Sequence, residues 1–385
     1  MAEVKNWASI LDKATWKQAE ILSRAPGIVG HVSLMPDAHL GMGATVGSVI
    51  PTDINTIIPA AVGVDIGCGM IAVRLNKTRD DFPVDLSRLV QLFGLSIPAG
   101  VGREREDFTS SQSSRIVTKR VNQWFIDNPI PNPTGFNVPR SKRQLGTLGS
   151  GNHFVEVCVD ESHRLWVVLH SGSRGIGNNI ATTFIKRSKD ENTAKLEDSD
   201  LSGLYGSTFE QYVGMMEWAQ SYAYANREFM MDAALADIIN CVDGVREEQR
   251  INCHHNFAAR EIHFGREVWL TRKGAIRADV GDMGIIPGSM GAATFITSGL
   301  GNPDSYKSSA HGAGRQLSRT AAKRTFTVES LRFHMNGKAW NINKAKALLD
   351  EHPDAYKPID QVMEDQRDLT TVVHTLNQIL NYKGT

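Results

Sequence analysis

The sequence predicts an α+β fold, a single compact domain of residues 1–385 with mixed β-sheets flanked by helices. Two segments rich in valine and leucine, 145–160 and 164–177, are joined by a polar turn and predict a β-hairpin. Residues 209–240 form the longest run with apolar side chains at helical spacing. Glycine-rich stretches adjoin the predicted strands, so we expect them to form loops at the ends of the sheets.

The remaining elements are predicted from apolar spacing and from turn residues. Helices are predicted at residues 9–23, 85–94 and 114–127, and from the turn after His311 to Thr325. A short strand is predicted from His31, breaking into a glycine-rich loop that holds Asp37 and His39. Further strands are predicted from residue 268 and at 294–297, and loops at 100–114 and 284–293.

Composition limits the possible classes of protein. A chain of 385 residues that is 41% hydrophobic can bury a sizeable core. Its 42 basic residues equal its 42 acidic residues, so affinity for a polyanion requires a local basic patch. Four widely spaced cysteines and the lack of a charged-then-apolar leader predict a cytoplasmic protein with reduced thiols. No uncharged run approaches the ~18 residues that cross a bilayer, so we expect no membrane association.

The segment Gly63–Met70 is the centre of the functional prediction. It places the carboxylate of Asp65 three residues before the thiol of Cys68, among glycines that allow close approach to an ion. One acid and one thiol cannot fill a coordination shell, so matching imidazoles are required. The chain supplies candidates at His153, His170 and His255.

The predicted hairpin brings two of these histidines together. If Val159 pairs with Arg164 across the turn, His153 lies opposite His170 with Cβ atoms ~5 Å apart. The prediction depends on that register, because a shift of one residue would send the two side chains to opposite faces. Near the third histidine, Cys253, His254 and His255 are adjacent, and any one of them could be a ligand.

Several polar residues outside that cluster are further candidates. Asp37 and His39 fit a turn acid with a bonded histidine as well as they fit a catalytic pair. His311 lies at a Gly-Ala-Gly turn, and a nucleophilic or acid–base role explains the space around it. Glu156 lies among apolar residues and should receive hydrogen bonds from a ligand or from protein N–H groups. The candidate phosphate and RNA contacts are Arg103, Arg105, Lys142, Arg143, Arg174, Arg315 and Arg319.

Seven motifs in this order closely resemble the RtcB family of RNA-splicing ligases. They are MPDAHLG (35–41), GVDIGCG (63–69), LGTLGSGNHF (145–154), LHSGSRGIG (169–177), NCHHN (252–256), PGSMG (287–291) and SAHGAGR (309–315). The resemblance covers the chain from about residue 4 to 384, and it implies an RtcB-like fold with the metal site in loops at the sheet ends.

The resemblance implies a GTP- and Mn²⁺-dependent ligase that joins RNA 3'-phosphate or 2',3'-cyclic phosphate ends to 5'-hydroxyl ends. Two Mn²⁺ ions would be held by Asp65, Cys68, His153, His170 and His255, with Cys68 bridging. His311 would carry GMP, and His255 is preferred to His254 because Asn256 follows it. The implied guanine-nucleotide contacts are Asn152, Phe154, Glu156, Ser289, Ala313, Tyr356 and Lys383.

Three alternatives stay open at this level. Cysteine with several histidines is a softer ligand set than manganese usually takes, so the residues alone suggest zinc. A metal-dependent phosphohydrolase or cyclic phosphodiesterase acting on RNA ends would need the same cluster without His311. An RNA-binding repair accessory would use the metal for structure only. The RNA substrate could serve tRNA splicing or RNA repair, with or without an activating protein partner.

Overall fold

The structure is a computed structural model that describes residues 2–105, 112–192 and 196–384. Those residues form fifteen strands and ten α-helices, which confirms the predicted α+β class. Residues 106–111 of the loop predicted at 100–114 lie outside the described part. Among the described residues, no helix is both long enough and apolar enough to cross a membrane.

The strands are β1 (Glu3–Asn6), β2 (His31–His39), β3 (Val46–Thr52), β4 (Gly69–Thr78), β5 (Phe154–Val159), β6 (Arg164–Ser171), β7 (Glu247–His254), β8 (Asn256–His263), β9 (Arg266–Lys273), β10 (Ala275–Arg277), β11 (Met283–Pro287), β12 (Thr294–Gly299), β13 (Ser308–Ala310), β14 (Ala339–Trp340) and β15 (Thr370–Lys383). The helices are α1 (Lys13–Leu22), α2 (Pro59–Val62), α3 (Ser87–Ser96), α4 (Gln112–Asp127), α5 (Val138–Gln144), α6 (Arg174–Glu191), α7 (Gly206–Ile239), α8 (Arg319–Thr325), α9 (Val328–His334) and α10 (Ile359–Asp365).

Two mixed sheets form the framework. One has the order β1-β2-β3-β9-β8, with β1 parallel to β2 and the other pairs antiparallel. The other has the order β11-β12-β15-β5-β6-β4-β7, and β14 adds to it in parallel with β15. A short antiparallel pair, β10 with β13, precedes His311. The two sheets meet at the turn between β7 and β8, where His255 lies.

Helix α7 is the central helix of the core. It packs against β4 and β6 on one side and against α3, α4 and α6 on others. Tyr212, Trp218 and Met230 are among its buried residues, which lie on all sides of the helix. An apolar surface all round is typical of a helix enclosed by protein. The prediction of a long core helix at 209–240 is therefore confirmed, with ends at Gly206 and Ile239.

The other predicted elements differ mainly at their ends. The first helix begins at Lys13 instead of residue 9, because the carboxylate of Asp12 accepts the N–H groups of Ala14 and Thr15 as an N-cap. The helices predicted at 85–94 and 114–127 span Ser87–Ser96 and Gln112–Asp127. The loop predicted at 284–293 is shorter, because Met283–Pro287 pairs with β12.

The helix predicted from the turn after His311 to Thr325 ends where predicted, but its predicted start is wrong. Residues 312–318 are irregular, and α8 begins only at Arg319, where Ser318 caps it. Gly314 has φ +73°, and a Cβ there would lie 2.2 Å from the backbone oxygen of Asp37. This close approach holds the chain in a left-handed conformation that a helix cannot contain.

The hairpin between β5 and β6 is confirmed, but the predicted register is wrong by one residue. Val159 pairs with Leu165 instead of Arg164, and Phe154 instead of His153 lies opposite His170. The turn is shorter than predicted because the N–H of Asp160 donates to the backbone oxygen of Arg164, 3.0 Å away, which extends the pairing by one residue.

Candidate metal centre and nucleotide pocket

The predicted imidazoles converge on Cys68 in spite of the register error. His153 lies in the loop before β5, so the alternation of the strand does not fix the direction of its side chain. Its ring lies 5.0 Å from the ring of His170. The Nε2 atoms of His153 and His170 lie 3.5 and 3.3 Å from Cys68 Sγ.

Five side chains form two groups of possible metal ligands that share Cys68. Asp65, Cys68 and His153 form one group, and Cys68, His170 and His255 form the other. His153 Nε2 lies 3.2 Å from Asp65 Oδ2, and His170 Nε2 lies 2.9 Å from His255 Nε2. Cys68 ends the loop before β4, and its backbone oxygen accepts the N–H of His255 at 2.7 Å. All five predicted residues are therefore within reach of a common centre.

The second ring nitrogens orient the imidazoles. Nδ1 of His153 donates to the backbone oxygen of Leu148 at 2.9 Å, and Nδ1 of His170 donates to that of Asn152 at 3.2 Å. Both Nε2 lone pairs then face Cys68, as metal-binding histidines require. His254 differs, because its Nδ1 lies 2.8 Å from the backbone oxygen of Gly67, on the side of α7.

The protonation states follow from burial. Burial and the charge of Asp65 raise the pKa of the Cys68 thiol well above its ordinary value. Burial lowers the pKa values of His170 and His255 well below 6.5. For Asp65, burial acts to raise the pKa, but the hydrogen bond and charge of His153 bring it to about 2. A thiol, the neutral imidazoles of His170 and His255 and a carboxylate packed together fit divalent metal ions, which would displace the thiol proton.

His311 lies beside this cluster and is oriented by a buried acid. Its Nδ1 is 2.6 Å from Oδ2 of Asp37, whose side chain is fully buried. The same carboxylate oxygen accepts the N–H groups of His311 and Gly312 at 3.0 and 3.2 Å. The rings of His311 and His255 are 4.6 Å apart. With Nδ1 directed at a carboxylate, the Nε2 lone pair of His311 is available to a ligand.

Asp37 and His39, which the sequence left undecided, both lie at this site. Nδ1 of His39 donates to the backbone oxygen of Asp37 at 2.9 Å. Burial lowers the pKa of His39 to about 4, so its ring is neutral at physiological pH. Its place in the motif MPDAHLG is the signal in the sequence that points to Asp37. Its contact with His311 could not be foreseen from the sequence, because the two residues are 274 positions apart.

One cavity of about 710 Å³, including space open to solvent, joins these histidines to the predicted nucleotide contacts. His170 and His311 line its inner end. The predicted contacts that also line it are Asn152, Phe154, Glu156, Ser289, Ala313, Tyr356 and Lys383. The structure thus brings together all seven residues, which come from five separate parts of the chain.

Glu156 gives the cavity an acceptor with no other use. Its Oε1 accepts a hydrogen bond from Asn381 Nδ2 at 2.5 Å, while its buried Oε2 has no partner among the described residues. Burial raises the pKa of Glu156 to about 8. A buried carboxyl oxygen without a partner is costly unless a ligand supplies one.

Glu351 is a residue of this cavity that sequence reasoning missed. Its carboxylate, 3% exposed, accepts hydrogen bonds from Lys383 Nζ (2.7 Å) and Tyr356 OH (2.8 Å). Arg315 and Arg319 also pair with it. Both arginines are predicted RNA contacts, but they line the same cavity as the predicted nucleotide contacts instead. The available signal for Glu351 was its closeness in sequence to Tyr356.

A second cavity opens on the other side of the metal ligands. It has about 1080 Å³, including solvent-open space, and is lined by Asp65, His153, Arg140 and Arg174. Of the predicted RNA contacts, Arg103 and Lys142 are exposed, and Arg143 pairs with Glu104 at 2.5 Å. Arg105 is buried, with Nη2 donating to Thr118 Oγ1 at 3.0 Å, so the structure does not support it as a surface contact.

Comparison with known proteins adds independent findings. Residues 18–384 match the family model described as tRNA-splicing ligase RtcB. The chain is 42% identical to the RNA-splicing ligase RtcB of Escherichia coli K12, over 100% of this chain and 98% of that protein. It is 30% identical to the tRNA-splicing ligase RtcB of Nanoarchaeum equitans, over 91% of this chain and 87% of that protein.

Proposed function

Because the chain belongs to the RtcB family of tRNA-splicing ligases, we propose that it is an RNA ligase. It joins RNA 3'-phosphate or 2',3'-cyclic phosphate ends to 5'-hydroxyl ends, using GTP and two Mn²⁺ ions. The observation that carries the proposal is the position of His311, which faces the same cavity as the predicted guanine-nucleotide contacts and lies beside the metal ligands. Four cysteines without a disulfide are compatible with action in the cytoplasm.

Asp65, Cys68, His153, His170 and His255 would hold the two ions, with the Cys68 thiolate shared. Bound divalent ions neutralise phosphate charge and orient phosphoryl groups for displacement. The choice of manganese over zinc comes from the family, since the donor set itself favours a softer metal. Metal analysis of the protein purified after growth with both ions tests that choice.

His311 is the proposed nucleophile. The Asp37 carboxylate lies 2.6 Å from Nδ1, so we assign the attack on the α-phosphate of GTP to Nε2, which forms an N–P bond as the bond to pyrophosphate breaks. An oxygen of the RNA 3'-phosphate then takes the guanylate from His311. The 5'-hydroxyl attacks that activated phosphate, loses its proton and releases GMP. An N–P bond on imidazole is labile, so the activation of GTP is retained for the second transfer.

The cavity is suited to a guanine base. Guanine has N–H donors on its ring and on its amino group, and Glu156, ionised when the base binds, would present its otherwise unpartnered Oε2 to them as an acceptor. Phe154 and Tyr356 provide aromatic surfaces, and Lys383 and Arg315 provide positive charge for the ligand. Asn152, Ser289 and Ala313 complete the proposed contacts.

We assign the RNA ends to the second cavity. Arg174 and Arg140 line it and can bind phosphate, and Asp65 and His153 connect it to the metal centre. The nucleotide and the RNA would then reach the metal centre from different sides. The exposed Arg103 and Lys142 would extend this path along the surface.

The test is incubation with radiolabelled GTP and Mn²⁺, followed by mass analysis of the peptide that contains His311. We expect wild type to gain one guanylate on that peptide and His311→Ala to gain none. His374→Ala, at a histidine bound to Glu161 outside the cavity, is the control and should label as wild type. If His311→Ala still releases phosphate from RNA 3' ends as fast as wild type, the chain is a phosphohydrolase instead.

A further inference from the structure

Two consecutive polar residues, Asn226 and Arg227, lie in the middle of the apolar core helix α7. Both are fully buried. Burying an arginine and an asparagine is costly unless every donor and acceptor finds a partner. Their partners are not distributed over the core but lie in the segments that carry the five metal ligands.

Arg227 contacts three of these segments. Its Nη1 donates to the backbone oxygen of Gly67 at 2.8 Å, next to Cys68, and to that of Ser171 at 3.1 Å, next to His170. Its Nε donates to Asn252 Oδ1 at 2.7 Å, on the strand that leads to His255. One planar guanidinium therefore bonds next to two ligands and to the strand that leads to a third.

Asn226 contacts the remaining segment. Its Oδ1 accepts the N–H groups of Gly146 and Thr147 at 2.7 and 3.2 Å. Its Nδ2 lies 3.2 Å from the backbone oxygen of Thr147, 3.2 Å from Ser171 Oγ and 3.1 Å from the oxygen of Gly172. Ser171 Oγ in turn donates to the backbone oxygen of Leu148, at 2.8 Å, which is also the acceptor for His153 Nδ1.

We propose that Asn226 and Arg227 are positioning residues for the metal centre, which tie together from behind the four chain segments that carry Asp65, Cys68, His153, His170 and His255. The inference rests on the metal centre of the proposed function. It gives a structural role in that centre to two residues whose position in an apolar helix does not by itself indicate one.

The physical need for such a support follows from the topology. The ligands lie at the ends of β4, β5, β6 and β7, and the backbone hydrogen bonds of the sheet stop there. A metal site requires donors held to within about 0.5 Å, which loops alone do not provide. Helix α7 packs against β4, β6 and β7, and its Asn226 reaches the loop before β5, so two residues of one helix can fix these segments together. Partners of this kind typically change metal affinity 10–100-fold when they are replaced.

Arg227→Lys is the principal test. Lysine keeps the charge and the length of the stem but cannot direct planar donors to Gly67, Ser171 and Asn252 together. We expect calorimetric titration of the metal-free full-length protein with Mn²⁺ to show binding about 10–100-fold weaker than wild type. With Co²⁺, the thiolate-to-metal charge-transfer band, which reports the Cys68–metal contact, should weaken or shift.

Arg250→Lys is the matched control. Arg250 lies on β7 and bonds to Glu228 and Asp232 of α7, but it bonds to no residue adjacent to a metal ligand. We expect it to lower the melting temperature as Arg227→Lys does while leaving Mn²⁺ affinity and the Co²⁺ band unchanged. If Arg227→Lys is poorly folded, Asn252→Ala removes one partner of Arg227 and should give a smaller loss of affinity that still exceeds the control.

Two results would overturn the inference. One is wild-type metal affinity in folded Arg227→Lys or, where that variant does not fold, in Asn252→Ala. The other is an equal loss in Arg250→Lys, which would indicate general destabilisation. A wild-type protein that takes up no divalent ion would instead refute the proposed metal centre. A wild-type protein that binds ions and labels His311, with unchanged variants, would refute this inference alone.

Discussion

At the scale of single residues, each group at the site is defined by the partner it already has. His153 and His170 each give one nitrogen to a backbone oxygen, so the other nitrogen faces Cys68 with its lone pair, and His311 has its Nδ1 within 2.6 Å of the Asp37 carboxylate. Glu156 is the opposite case, because one oxygen is bonded and the other has no partner among the described residues. Partnered atoms orient the site, and unpartnered atoms indicate where a ligand binds.

Asp37→Asn tests how His311 is oriented. An amide can still accept the two backbone N–H groups, but it does not stabilise the Nδ1–H tautomer as a carboxylate does. We expect the rate of His311 guanylylation to fall by about 10²–10⁴-fold, with GTP affinity little changed. Single-turnover labelling gives the rate, and nucleotide titration gives the affinity. An unchanged rate would mean that the only role of Asp37 is to accept the backbone N–H groups of His311 and Gly312.

Glu156→Gln tests the raised pKa of that carboxyl. The folded pKa of about 8 exceeds the ordinary value of 4.5, so folding favours the protonated form. The stability contributed by protonation is complete below the ordinary pKa and is lost as the pH rises through 8. Between about pH 5 and pH 9, the free energy of unfolding of wild type should therefore fall by roughly 2–5 kcal/mol relative to that of Glu156→Gln. Urea unfolding at both pH values measures the difference, and a constant difference would contradict the predicted pKa.

At the scale of elements, the site depends on how closely strands approach one another. β4 carries Cys68 at its start and pairs with both β6 and β7, which end near His170 and His255. Gly69 lies where β4 passes β7, and a Cβ at this position would lie 2.1 Å from the backbone oxygen of Cys253. The two ligand-bearing ends can meet only because this residue has no side chain.

Gly69→Ala should therefore separate β4 from β7. We expect a loss of about 1–3 kcal/mol or more in the free energy of unfolding, together with weaker Mn²⁺ binding. Gly214→Ala is the control, because Gly214 lies in α7 and a Cβ there meets nothing within 4 Å. It should stabilise the protein by about 0.5–1 kcal/mol without affecting the metal. Equal effects of the two changes on unfolding would contradict the assignment.

At the scale of the whole molecule, the metal centre lies between two cavities in a protein of zero formal net charge. Attraction for RNA must therefore come from local basic groups such as Arg174. Some of the other basic side chains are instead paired with acids inside the protein. Arg315, Arg319 and Lys383 pair with Glu351 in the nucleotide cavity. This arrangement gives each cavity its own set of cations.

Lys142→Glu tests the surface path for RNA. The substitution should weaken RNA binding and reduce the slope of log affinity against log salt by about 1, while GTP labelling of His311 stays unchanged. Lys13→Glu, an equal charge change at the exposed start of α1, is the control and should leave RNA affinity closer to wild type. Binding assays at several salt concentrations measure both, and equal losses would place the RNA elsewhere.

Residue type and local spacing were enough to predict the α+β class, the hairpin and the core helix α7, because periodicity and turn residues are local signals. The full set of five metal ligands came from the resemblance to the RtcB family, since spacing alone left Cys253, His254 and His255 equivalent. Features that depend on contacts between distant segments could be seen only in the folded protein. Backbone pairing of Asp160 with Arg164 set the hairpin register, and the approach of Asp37 to residues 311–314 prevented the predicted helix. The roles of Glu351, Asn226 and Arg227 belong to the same class, since a buried polar residue acquires its function from the partners that folding brings to it.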